Sequence, residues 1–175
     1  MVSAWRWMGV GIVLMAGAVV AQQQAGGIGA ARPPLVQWVG HESKHMAGFV
    51  MARDEAAWRK VWAAHTGADG EGAMRRHAAP KIDFERCMVV GRFAGARTNH
   101  DGEEAVSVED RGDAVVVRFM ASTFQTSGPD GGGVATTPFG LWVVPAAKKP
   151  VVIEEGRMGL KGSAVRWEEV ARLPG

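Results

Sequence analysis

The segment His41-Glu42-Ser43-Lys44-His45 places two histidines four residues apart, with a glutamate directly after the first. On a helix this spacing turns both imidazoles to one face, where they can hold zinc while Glu42 acts as general base toward a metal-bound water. Gly48 falls where the longer form of the motif carries glycine, but the third ligand position is Met51, and Lys44 would set a cation against the metal. Gly40 and Gly48 bracket the pentapeptide and a strand-like run precedes it, so the local pattern is not helical. On an extended chain His41, Ser43 and His45 project one way and Glu42 the other, which turns the base away from the metal. The sequence therefore predicts a strand end or hairpin here. A small zinc-dependent hydrolase using His41 and His45 with Glu42 is the alternative.

The remaining chemistry-bearing residues form no complete set. His65, His77 and His100 lack ligand-like spacing and read as helix-end or loop histidines. The adjacent carboxylates Glu103-Glu104 and Glu154-Glu155 would point to opposite faces of a strand, and solvated edge charge is the expectation for them. No serine sits between glycines in a nucleophile elbow. Gly131-Gly132-Gly133 lies in a polar loop with no helix start behind it to hold a phosphate. Cys87, the one cysteine, stands beside the apolar run Met88-Val89-Val90 and reads as a buried, inert thiol. No cofactor is called for.

The elements that would position these residues begin after an export signal. Arg6, the uncharged run from Trp7 to Val20, and Ala18-Val19-Val20-Ala21 have the order of a cleavable signal peptide over residues 1–21. The apolar run falls short of the ~20 residues that span a bilayer, so no stable membrane insertion is expected after cleavage, and the localisation is extracytoplasmic, periplasmic or secreted. With Arg6 set aside, 19 Lys and Arg face 18 Asp and Glu, scattered rather than striped, which argues against a nucleic-acid partner. Residues 22–34, rich in Gln, Ala and Gly and ending in Pro33-Pro34, read as a flexible lead-in. Residues 35–175 suit one domain, held by its core because a lone cysteine cannot close an internal disulfide.

Within that domain, strands are expected at 35–39, 49–51, 87–93, 105–108, 114–120, 140–144, 151–153 and 164–173. One amphipathic helix runs from an Asp54 N-cap through Trp58, Val61 and Trp62 to a stop at Thr66-Gly67. Hairpin distances separate most of the strands, so the fold class is α+β, an antiparallel β-sheet packed with one main amphipathic helix.

The series Asp54-Glu55-Ala56-Ala57-Trp58 through Trp62, then Ile82-Asp83-Phe84, Met88-Val89-Val90 to Phe93-Ala94-Gly95, and Thr137-Pro138-Phe139 resembles the C-terminal domain family of protease complex subunit PrcB over about a hundred residues. That resemblance implies an exported accessory domain associated with a protease and brings no catalytic signature. Where the family has a small-residue turn with an aromatic, this chain has Arg97-Thr98-Asn99-His100-Asp101-Gly102-Glu103-Glu104.

The reading that follows is a non-enzymatic binding or accessory domain that engages a protein partner, a protease among the candidates. A protease inhibitor is a further alternative. The two polar, glycine-rich connections at 97–104 and 123–136 are expected at one end of the sheet. There Arg97, Asn99, His100 and Asp101 would join Phe124, Gln125 and Asp130 in one partner-binding surface, with Phe124 as apolar anchor. The competing expectation leaves two separate solvated loops with Phe124 in the core.

Overall fold

The computed structural model describes residues 30–68, 77–126, 132–160 and 163–175. Residues 1–29, which carry the expected signal peptide, and Asp130 lie outside the described residues. Among the described residues ten strands and one helix follow in the order β1 (Val36–Gly40), β2 (Gly48–Ala52), α1 (Glu55–Thr66), β3 (Cys87–Phe93), β4 (Arg97–Thr98), β5 (His100–Asp110), β6 (Val115–Thr123), β7 (Ala135–Thr136), β8 (Phe139–Pro145), β9 (Val151–Arg157) and β10 (Arg166–Leu173).

The helix forms where its caps require it. Asp54 accepts from the Ala57 N–H at 2.7 Å, Glu55 faces the positive end of the helix dipole, and Gly67 closes the C-terminus in the left-handed region at φ 67°. Trp58 is buried, as its place on the apolar face demands, while Trp62 is half-buried at the margin. Each indole N–H is satisfied at 2.8 Å, Trp58 by the Pro80 carbonyl and Trp62 by that of His77.

The strands form two four-stranded sheets and a short ribbon rather than one sheet. An inner sheet has the order β1-β8-β3-β2, an outer sheet the order β10-β9-β6-β5, and β4 pairs with β7. Every neighbouring pair is antiparallel except β6 and β9, which run parallel. The chain leaves β6, passes through β7 and β8 in the other layers, and returns as β9. The fold is α+β, mostly β with one helix.

Alternation along β3 and β8 divides the interior in two. Met88, Val90, Trp142 and Val144 meet Ala105, Val117, Phe119, Val151 and Ile153 of the outer sheet. Val89, Phe93, Leu141 and Val143 meet Trp58 of α1, with Trp38 and Trp62 beside it. Gly140 is required by a close crossing, because a Cβ there would fall on the Glu103 carbonyl, which accepts from Trp142 Nε1 at 3.0 Å. No helix among the described residues is long and apolar enough to cross a membrane.

Candidate functional site

The two polar connections meet, and Asn99 joins them. This residue takes a positive φ of 57°, a conformation that asparagine tolerates better than most side chains. Its N–H donates to the Val134 carbonyl at 2.9 Å while its own side-chain Oδ1 accepts from the Val134 N–H at 2.7 Å. Its carbonyl accepts from the Phe124 N–H at 2.9 Å. One residue thus ties the start of β5, the end of β6 and the entry to β7 together. The β4–β7 ribbon extends the junction through Arg97 opposite Thr136 and Thr98 opposite Ala135.

On this junction Arg97, Asp101 and Gln125 are exposed, and Asn99, His100 and Phe124 are half-buried. Phe124 belongs to none of the buried clusters among the described residues. Val134, which the sequence reading did not single out, adds an exposed apolar side chain. His100 pairs with Thr123 in the ladder, and its Nδ1 is buried with no hydrogen-bond partner among the described residues.

The pentapeptide from His41 to His45 lies in the irregular connection between β1 and β2, at a strand end and not on a helix. Its two histidines take different partners. His41 Nδ1 lies 3.2 Å from Asp101 Oδ1, which carries the surface of the junction across to the end of β1. His45 donates from Nδ1 to the Met46 carbonyl at 2.7 Å and stacks its ring on Phe93, centroids 4.1 Å apart. Among the described residues no three His, Cys, Asp or Glu side chains gather in a way that could hold a metal. A shallow cleft of ≈ 380 Å³ opens between Val39, Gly40, His41, Glu42, Asp101 and Phe139. A larger hollow of ≈ 780 Å³ lies against α1, lined by Trp58, Trp62 and Pro80 among others, away from this surface.

Ser43 is the hub of the β1–β2 connection. Its N–H donates to Thr137 Oγ1 at 2.8 Å and its Oγ accepts from the His45 N–H at 3.1 Å. Ser43 Oγ also lies 2.9 Å from His65 Nδ1. His65, expected as a plain helix-end histidine, is packed on Phe139 with centroids 4.2 Å apart. Burial, with the nearby His45 adding to it, lowers its pKa to about 4.

Two expected edge carboxylates are instead interior. Glu103 is 1% exposed and Glu155 7% exposed, both turned in between the sheets, whereas Glu104 is exposed. One carboxylate of each adjacent pair points inward, and the inward face at this end is lined by Arg92. Arg92 Nε lies 3.4 Å from Glu103 Oε1, and its guanidinium sits over the rings of Phe49 and Phe119. Burial pushes the Glu103 carboxyl above its ordinary range, the Arg92 guanidinium opposes that, and Glu155 adds to it. Cys87 is half-buried, and burial together with Asp83 raises its thiol pKa against the pull of Arg86, which keeps thiolate scarce. No family model, curated protein or solved structure matches the chain.

Proposed function

We propose that the protein is an extracytoplasmic, non-enzymatic binding module whose surface at the β4–β7 junction engages a partner protein. The observation that carries this reading is the Asn99 junction. Its three hydrogen bonds add to the β4–β7 ribbon and the β5–β6 ladder in holding this end of the strands together, and so gather Arg97, Asp101, Phe124, Gln125 and Val134 in one region. An apolar patch of Phe124 and Val134 with a charged rim has the composition of a protein-binding surface. The resemblance to the PrcB C-terminal family supports a protease as the partner.

The test separates binding from folding. The exported chain is used to capture partners from its native envelope or medium, alongside Phe124→Ala and the surface variant Arg97→Glu, with thermal stability measured for each. The expected outcome is one saturable partner, lost in both variants at unchanged melting temperature. Undiminished capture by both variants would overturn the surface. A large stability loss in Phe124→Ala would assign that ring to the fold and leave Arg97→Glu to decide. Recovery of a partner with no proteolytic activity would leave the binding function standing and remove the protease.

A further inference from the structure

The connection between β1 and β2 is held from both sides by groups that belong to distant parts of the chain. On one side the Lys44 N–H donates to the His65 carbonyl at 3.0 Å, and Ser43 Oγ meets His65 Nδ1 at 2.9 Å, both at the C-terminal end of α1. On the other side the Ser43 N–H donates to Thr137 Oγ1, and the Thr137 N–H donates to the His41 carbonyl, each at 2.8 Å. The same connection delivers His41 to Asp101. We infer that this connection is an acid-released latch: Ser43 closes it by donating its hydroxyl to neutral His65, and protonation of His65 opens it and withdraws His41 from Asp101.

The hydrogen-bond accounting at Ser43 gives the mechanism. Its Oγ already accepts from the His45 N–H, so its one proton is free to go to an unprotonated His65 Nδ1. A protonated imidazole has no lone pair there and can only donate, to the second lone pair of Ser43 Oγ. The Ser43 hydroxyl hydrogen then loses its acceptor in a site only 9% exposed, which costs what any stranded buried donor costs.

The C-terminal end of α1 favours a cation at this place, but burial outweighs it. From α1 the ring meets Trp62, from β3 Phe93 and from β8 Phe139. The titratable group that acts on it comes from the latch itself, His45, which disfavours a second cation; the side chain of Lys44 lies over nearby Gly67. A pKa of about 4 when closed, against 6.5 ordinarily, is the expected consequence. A base depressed in the closed state stabilises that state fully above about pH 6.5 and progressively less as the pH falls toward about 4. Each pH unit in that window shifts the latch about tenfold toward open, on the order of a hundredfold in all.

Amide exchange and imidazole shifts of the isotopically labelled chain between pH 7 and pH 3.5 test the latch. His65 is expected to titrate near pH 4, with protection of the Lys44 and His45 amides falling about a hundredfold over the same range while β3 and β8 amides keep theirs. His65→Gln should flatten that dependence. Ser43→Ala, which removes no titratable group, should lower protection of the two amides at least tenfold already at pH 7, and it decides the matter if His65→Gln does not fold. Titration of His65 near 6.5, acid opening that persists in His65→Gln, unchanged protection in Ser43→Ala, or simultaneous loss of protection in β3 would each overturn the inference.

Discussion

The inner and outer sheets bury different numbers of faces, and the strands carry that difference in their sequences. In the inner sheet β8 is buried at every position from Phe139 to Val144, and β3 nearly so, because α1 covers one face and the outer sheet the other. In the outer sheet β9 begins Val151-Val152-Ile153 and then admits Glu154, and β10 alternates along Arg166-Trp167-Glu168. A sheet covered on both faces must be apolar throughout, whereas one with a solvated face needs only alternate apolar residues. Stability should therefore be concentrated in the inner sheet and its helix, and charge should be cheap only on the outer face.

The largest expected effect tests the covering of the inner sheet. Trp58 is 1% exposed, stacks on Trp38 with centroids 5.7 Å apart, and lies 5.2 Å from Trp62. Trp58→Ala should destabilise the protein by about 3–5 kcal/mol through the cavity it leaves, read as a lowered denaturation midpoint. Trp62→Ala, at the half-buried margin, should cost less. An equal loss in both would mean that α1 lies on the sheet in a different rotation.

An intermediate effect concerns the charge sealed between the sheets. A carboxyl whose folded pKa lies above its unfolded value favours folding most when protonated. Glu103 therefore makes the protein most stable below the ordinary carboxylate range, and stability is lost as the pH rises through its folded pKa. Within that window the slope is at most about 1.4 kcal/mol per pH unit. Denaturation of the wild type and of Glu103→Gln from pH 4 to pH 8 measures it. Glu103→Gln should lack this fall, and an identical pH profile in both proteins would show that the Arg92 charge fully offsets the burial of Glu103.

Local chemistry made the helix readable to the residue, since Asp54 and Gly67 are a capping side chain and a left-handed stop whose roles follow from their own structures. Cys87 to Phe93 was equally legible as a continuous apolar run. The division into two sheets was not, because nothing local in the connection from Thr123 to Phe139 distinguishes a return within one sheet from a crossing into another layer. The same limit hid the latch. Ser43 and His65 are unremarkable at their own positions, and only the return of β8 with Thr137 and Phe139 turns one into a hub and buries the other. Joining of the 97–104 and 123–136 connections could be anticipated from strand order, but the agent, Asn99, announced itself only as an asparagine in a polar turn.

The smallest expected effect lies on the open face of the outer sheet. There Arg118 stands directly across from Glu154 in the parallel β6–β9 pair, with Arg118 Nε 2.7 Å from Glu154 Oε2 and the guanidinium over the Trp167 ring at 5.1 Å. Arg111 reaches the other Glu154 oxygen at 3.4 Å and also pairs with Glu109, so Glu154 sits in a small network and not in an isolated pair. Water reaches these groups, and the Coulomb energy is correspondingly screened. Glu154→Gln should therefore cost only about 0.5–1 kcal/mol at low salt, and that cost should shrink as ionic strength rises. Arg118→Ala should cost somewhat more, because it also uncovers Trp167 and the Val116–Val152 pair beside it, and this added part should be indifferent to salt. Urea midpoints of the two variants at low and high salt separate the contributions. A salt-independent loss in Glu154→Gln as large as that of Trp58→Ala would mean that the outer face is sealed in the working protein and that the contrast between the two sheets does not hold.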